Sequence, residues 1–248
     1  MFPEILYELF SGNPRQGPGS NECTGRSYHM CTDLPPKPAI LDVGCGSGTQ
    51  TLELARISDG HITALDNYQP MLDTLNKKVL EEHLSSRITT VNGSMFELPF
   101  ASGTFDLIWS EGAIFIMGFE KGLREWKHLL KKGGYIVVSE LTLTRPDTPQ
   151  ELKHYLASKD PNIRYNDDNR RLISEAGYTE IGDFILPAAG WRDDFYTPLQ
   201  ERLNAFKKRY AGDAAALEIL DSCQKEIDIF NQYNAYYSYI FYVMQPEF

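Results

Sequence analysis

Between residues 38 and about 145, short apolar runs alternate with segments in which apolar residues recur every three or four positions. The runs AILDVG (39–44), HITALD (61–66), RITTVNG (87–93), FDLIWSE (105–111) and YIVVSELTL (135–143) predict five buried strands. TQTLELARI predicts the helix after the first strand, and PMLDTLNKKVLEEHL a second helix with proline at its start. EKGLREWKHLLK predicts a third helix, ending at Gly133 and Gly134. Strands alternating with helices imply βαβ units and a parallel sheet covered on both faces. The last third has a different texture. NDDNRRLISEAGYTEIGDFILP predicts a helix and a strand, about 194–231 is mostly helical, and NAYYSYIFYVMQP is an aromatic final strand. The helical stretch is thus an insertion between the last two strands, placed to cover a ligand at the strand ends. Residues 11–38 read as irregular, with SGNPRQGPGS and LPPKP as loops around a short middle segment.

Composition narrows the function classes. The chain has 248 residues, 42% of them hydrophobic and 23% charged, with a formal charge of −10. An acidic chain is a poor general nucleic-acid binder, because neutralising phosphates needs a basic face. KHLLKK at 127–132 reads more simply as the cationic end of a helix. No run approaches the roughly 18 apolar residues of a membrane span, and the acidic N-terminus does not read as a signal peptide. Cys23, Cys31, Cys45 and Cys223 are scattered without CxxC spacing, and the five histidines lack metal-ligand spacing. No metal is expected, and a soluble cytoplasmic protein is. No GxSxG nucleophile elbow is present.

The chemistry concentrates at GCGSG, where Gly44, Gly46 and Gly48 follow the first strand. Ligands of open α/β sheets bind beyond the carboxyl ends of the strands, and glycine lets the backbone approach them. The dinucleotide fingerprint is GxGxxG/A; here the spacing is GxGxG, with Thr49 in the sixth position. Asp42, two residues ahead of the first glycine, is a poor neighbour for a pyrophosphate but suits a ligand carrying positive charge. S-adenosylmethionine, with a sulfonium, an ammonium and no phosphate, is such a ligand. Asp66 ends the second strand, where an acidic side chain accepts from ribose hydroxyls. Cys45, inside the loop, needs only to be small.

LDVGCGSGTQT resembles the first motif of the class I S-adenosylmethionine-dependent methyltransferases, and the resemblance runs over about 39–145. HITALD is similar to the family's ribose-binding strand end, NGSMFELPF to its adenine loop, FDLIWSEGA to its fourth strand and LLKKGGYIVVSE to the helix and strand that follow. The closest flavour is the small-molecule branch that includes ubiquinone/menaquinone-type enzymes. RQGPGS together with WSEGAI resembles an uncharacterised subgroup of it. The resemblance implies a Rossmann-like, doubly wound, seven-stranded α/β sheet, mostly parallel, with the last strand antiparallel. It places Gly44 and Gly46 at the methionine part of the cofactor, Asp66 at the ribose, and Asn67 and Met95 about the adenine. Ser94 stands where many members have an acidic residue for the adenine amino group. Ser110 and Glu111 would end nearest the reactive methyl. Residues 1–37 would form a lid, with Arg15, Gln16 or Ser20 facing the ligand, over a methyltransferase domain at 38–248.

Methyl transfer is an in-line displacement, and orienting two reactants well contributes about 7–11 kcal/mol. Glu111 is the candidate base; holding a cationic acceptor, or merely orienting the loop, are its other readings. Tyr165, Trp191, Phe195 and Tyr196 are candidates for an aromatic acceptor wall, with packing as the alternative. YNAYYSYIFYV at 233–243 is either sheet packing or the subunit interface of a homodimer. The expected activity is methyl transfer to a small molecule, with S-adenosylhomocysteine as product. Its rivals are a protein that holds the cofactor without turnover and, more remotely, an NAD-dependent oxidoreductase. Nucleic acid is a poor acceptor here, since WSEGA stands where adenine-amino methylases carry Asn/Asp-Pro-Pro-aromatic.

Overall fold

A computed structural model describes residues 4–247; residues 1–3 of the N-terminal segment and residue 248 lie outside them. The apolar runs become strands because helices cover them on both faces. β1 (Ala39–Val43), β2 (His61–Asp66), β3 (Ile88–Asn92) and β4 (Phe105–Ser110) pair in parallel, and β5 (Leu130–Leu143) pairs in parallel with β4. α3 (Thr49–Ile57), α4 (Gln69–Glu81) and α5 (Phe119–Trp126) are the crossovers. Beyond β5 the chain forms α6 (Gln150–Lys159), the two-residue β6 (Arg164–Tyr165), α7 (Asn166–Glu175) and β7 (Tyr178–Ile185), and it ends in β8 (Tyr237–Pro246). The sheet order is β3-β2-β1-β4-β5-β8-β7, with β6 beside the end of β5. β8 is antiparallel to both its neighbours. This is the expected Rossmann-like sheet, and its order reverses between β1 and β4, where such sheets bind ligands.

Three expectations change. The helix drawn over EKGLREWKHLLK stops at Trp126, passes through a 3-10 turn (Lys127–Leu129), and gives Leu130 to β5. Leu130 pairs with Phe105 and both are buried, so sheet pairing outweighs helical continuation there. The cations of KHLLKK take local partners: Lys127 donates to the Gly177 carbonyl at 2.7 Å and Lys131 pairs with Asp106 at 2.8 Å. Second, the N-terminal segment is half helical. α1 spans Glu4–Ser11, and α2 spans Asn21–Met30 with Ser20 as its N-cap, accepting from the Cys23 amide at 3.1 Å. Third, the aromatic final strand is interior, since β5 and β7 flank it and nearly every residue is buried. That leaves sheet packing, not a subunit interface, as its role.

The insertion begins at α8 (Ala188–Trp191) and continues through a π-helical turn (Arg192–Tyr196), α9 (Thr197–Arg209) and α10 (Ala214–Tyr233). Its aromatic residues pack with Leu9 of α1 and with Tyr237, Tyr239 and Phe241 of β8 in one buried cluster. α1 is fastened to α9 at its last carbonyls, where Arg202 donates to Leu9 O at 2.6 Å and Glu8 O at 2.7 Å. No described helix is long and apolar enough to cross a membrane.

Candidate functional site

A cavity of about 550 Å³ opens above the carboxyl ends of β1, β2 and β4, within the usual 300–1,000 Å³ of small-molecule sites. Its floor is the glycine loop. Gly44 has φ +76°, and a Cβ there would lie 2.5 Å from that of Ala113. Gly46 has φ +55°, and its Cβ would lie 2.9 Å from Gln16 Oε1. At both positions the loop needs a left-handed backbone and the space a side chain would take.

Asp66 Oδ2 accepts from the Gly46 amide and Oδ1 from the Tyr68 amide, both at 2.9 Å. One carboxylate thus ties the loop after β1 to the turn after β2 while it lines the cavity. Burial raises its pKa, and these amide bonds oppose the rise. Asp42 behaves differently from expectation. It is fully buried beneath the loop, accepts from Thr51 Oγ1 at 2.5 Å and Gln50 Nε2 at 3.5 Å, and does not line the cavity. Burial above all pushes its carboxyl up to about 7. Its role is to brace the loop against the start of α3, not to face a cationic ligand.

The N-terminal segment closes one side. Gln16 Oε1 accepts from both the amide and the hydroxyl of Ser47, at 3.0 and 2.8 Å. Arg15 Nη1 donates to Glu111 Oε2 at 3.1 Å and Nη2 to Asn21 Oδ1 at 2.8 Å. Glu111 Oε1 accepts from Thr24 Oγ1 at 2.6 Å and Trp109 Nε1 at 2.9 Å. With both oxygens engaged, Glu111 is a clamp for the segment, which favours the orienting reading over the base. A Cβ on Gly19 would lie 2.8 Å from Arg15 Nη1 and 3.1 Å from Glu111 Oε2, so the GPGS sequence lets the chain pass the ion pair. From α1, Tyr7 stacks on Tyr68 with centroids 3.7 Å apart and planes at 15°, and Glu4 accepts from the Tyr68 hydroxyl at 2.9 Å.

Of the other expected site residues, Cys45, Asn67, Ser94 and Met95 line the cavity. The Ser94 hydroxyl accepts from the Phe96 amide at 3.2 Å, within its own loop. Ser110 lies beneath the site, fully buried, and donates to the Val43 carbonyl at 3.0 Å. Tyr165, Trp191 and Tyr196 do not line the cavity. Trp191 stacks on Phe230 with centroids 5.0 Å apart and donates to Ser238 Oγ at 2.9 Å; Tyr196 is buried beside it. Tyr165 ends β6, with Lys153 Nζ 5.6 Å from its ring centroid. These aromatics fill the core under the insertion. The cavity's own aromatics are Tyr7, Phe10, Tyr68, Phe96 and Phe115; they sit in segments with no apolar period long enough to flag them.

Strand order, antiparallel final strand and glycine loop together define a Rossmann-like methyltransferase fold of class I. Residues 40–134 match the family model described as "Methyltransferase domain". A sterol 24-C-methyltransferase of Kluyveromyces lactis is 31% identical over 168 residues, 64% of this chain and 45% of that protein. The chain spans about half the length or less of the curated relatives it matches. Among solved structures, a methyltransferase from Geobacter sulfurreducens in complex with S-adenosyl-L-homocysteine superposes with a TM-score of 0.83 at 19% identity, covering 99% of both chains. YjhP of E. coli superposes with a TM-score of 0.85 at 17% identity, covering 99% of this chain and 100% of its own. At those identities the likeness establishes the fold.

Proposed function

We propose that this chain transfers a methyl group from S-adenosylmethionine to a small-molecule acceptor. The observation that carries the reading is Asp66, held by two amides at the end of β2 and facing a cavity floored by left-handed glycines. Asp66 would accept from the ribose hydroxyls. The loop from Gly44 to Gly46 would carry the methionine part, and Asn67, Ser94 and Met95 would bound the adenine. Arg15 lines the cavity, and its buried Nε has no hydrogen-bond partner among the described residues; it suits the cofactor's carboxylate. When bound, S-adenosylmethionine supplies an electrophilic methyl on a sulfonium.

Glu111 would hold the lid in place through Arg15 and Thr24 and so exclude water from the reacting centre. Residues 4–37, the described part of the expected 1–37 segment, would form that lid, with the insertion supporting it through Arg202 and α1 without lining the cavity. Four free, buried cysteines suit a reducing cytoplasmic compartment. The acidic surface balance favours a small acceptor over nucleic acid.

Calorimetric titration with S-adenosylmethionine and with NAD, on the protein and on Asp66→Ala, tests the reading. Micromolar binding of S-adenosylmethionine that the substitution weakens is expected, with no NAD binding. The reverse preference would return the loop to a nucleotide site of another kind. The rival reading, cofactor held without turnover, predicts that no acceptor releases S-adenosylhomocysteine.

A further inference from the structure

Between β4 and α5 the chain runs through a short 3-10 turn of three consecutive apolar residues, Ile114–Ile116. Gly112 at φ +60° and Gly118 at φ +94° bend the backbone on either side of it. Successive side chains of such a turn point about 120° apart, so only one of the three can face inward. That one is Ile114, which is fully buried; a Cβ on Gly122 of α5 would lie 2.7 Å from its Cγ1. With Ile114 pinned, its neighbours are held outside: Phe115 is 41% exposed and Ile116 55%. Phe96, in the loop after β3, is 51% exposed.

Phe96, Phe115 and Ile116 line one cavity, while the exposed Leu80, Ile181 and Ile185 lie away from it. Single exposed apolar residues are ordinary, whereas a group of them at one concave site marks a place that an apolar ligand covers. The turn also adjoins the loop assigned to the methionine part of the cofactor, since a Cβ on Gly44 would lie 2.5 Å from that of Ala113. The cavity's charged side chains are engaged elsewhere. Arg15 and Glu111 pair with each other, and Asp66 takes the Gly46 and Tyr68 amides. Lys121 of α5 holds its ammonium 5.5 Å from the Phe96 ring centroid and does not line the cavity.

We propose that Phe115 and Ile116, together with Phe96, form the acceptor subsite, and that the acceptor presents an uncharged, apolar body to it. The proposal rests on the methyl-transfer reading and names the substrate class for that site. Covering half-exposed apolar side chains favours binding without any directional contact. A charged acceptor would give up its hydration there and find no counter-charge on residues 112–116. A second protein is the other kind of occupant such side chains attract. The small molecule is favoured because the three residues line a cavity of about 550 Å³ that they share with the glycine loop.

The test is ligand-observed NMR at saturating S-adenosylhomocysteine. The probes are fragment triplets, each an alcohol, an ammonium and a carboxylate on one apolar skeleton, with cinnamyl alcohol, cinnamylamine and cinnamate among them. Alcohols are expected to bind in preference to their charged partners, and glycerol not at all. That preference is read on the native protein, so it does not depend on how any variant folds. Phe115→Ser and Ile116→Ser, each checked for folding by its melting transition, should weaken the alcohol hits about tenfold, some 1.4 kcal/mol. Both should leave the affinity for S-adenosylhomocysteine unchanged, and Ile185→Ser should change neither. Preference for the ammonium or the carboxylate, absence of alcohol hits, or hits that survive both substitutions would overturn the subsite. Loss of S-adenosylhomocysteine affinity in the two variants would give these residues to the cofactor and overturn it too. Self-association of the native chain in sedimentation, abolished in both variants with fragment binding intact, would make the patch a protein interface instead. Failure of S-adenosylhomocysteine to bind the native protein would overturn the methyl-transfer reading and this one with it.

Discussion

Arg15 and Glu111, 96 positions apart in sequence, meet as an ion pair at 3.1 Å with both side chains only 4% exposed. The pair joins the N-terminal segment to the end of β4, beside the cavity. Removing one member of a buried pair leaves the other charge unpartnered, at a cost of about 3–5 kcal/mol. Arg15→Ala and Glu111→Ala should therefore each destabilise the protein and weaken S-adenosylmethionine binding, because the segment no longer docks. Glu111→Gln separates clamp from base. A clamp predicts faster proteolytic nicking of residues 12–20 and a raised KM for the cofactor; a base predicts a fall in kcat with cofactor affinity unchanged.

Gly19 and Gly25 make opposite predictions on either side of Ser20. A methyl on Gly19 would sit 2.8 Å from Arg15 Nη1, whereas one on Gly25, within α2, would meet nothing within 4 Å. Gly19→Ala should weaken cofactor affinity in calorimetry by displacing Arg15. Gly25→Ala should stabilise the protein by about 0.5–1 kcal/mol through helix propensity, read as a higher urea midpoint. If both substitutions behaved alike, the close passage at Gly19 would have no energetic weight.

The five parallel strands were legible because each run is mostly apolar or β-branched and is bounded by glycine, proline or polar residues. The glycine loop and Asp66 were legible because spacing and strand-end position are properties of the chain itself. α2 was not, since NECTGRSYHM has no apolar period and its stability comes from the Ser20 cap and from burying Cys23, Thr24 and Ser27. Adjacency to the glycines does not make Asp42 face the ligand: in the strand its side chain points under the loop, to Thr51. Glu111 lines the cavity, but its partners Arg15 and Thr24 come from a distant segment that no local pattern could assign.

Trp191 supplies a direct check on the corrected aromatic wall. It is buried, stacked on Phe230 and hydrogen-bonded to Ser238. Truncating such a residue costs about 3–5 kcal/mol through lost burial and the cavity left behind. Trp191→Ala should therefore lower stability in urea unfolding by that order, and Trp191→Phe by less. The folded fraction should bind S-adenosylmethionine with unchanged affinity, since neither Trp191 nor Tyr196 lines the cavity. A large loss of acceptor turnover without loss of stability would restore the substrate-wall reading.

Buried carboxyls set how stability responds to pH. Burial, reinforced by the Asp160 charge and opposed by Arg164, raises Glu140 to about 8, against about 4.3 in an unfolded chain. The native state then holds this proton more tightly than the unfolded state. The contribution of Glu140 is complete below the unfolded value and is lost as pH rises to about 8, at up to about 1.4 kcal/mol per pH unit. Asp42, raised to about 7, acts in the same direction over a lower range. Unfolding free energies measured in urea from pH 5 to 8 should fall across that interval for the native sequence. Glu140→Gln should flatten the upper part of the curve, and Asp42→Asn the lower part. Asp160→Asn should reduce the Glu140 share, because the repulsion that helps to hold the proton on is gone, and Arg164→Ala should enlarge it. A native slope left unchanged by Glu140→Gln would mean that Glu140 does not titrate in this interval.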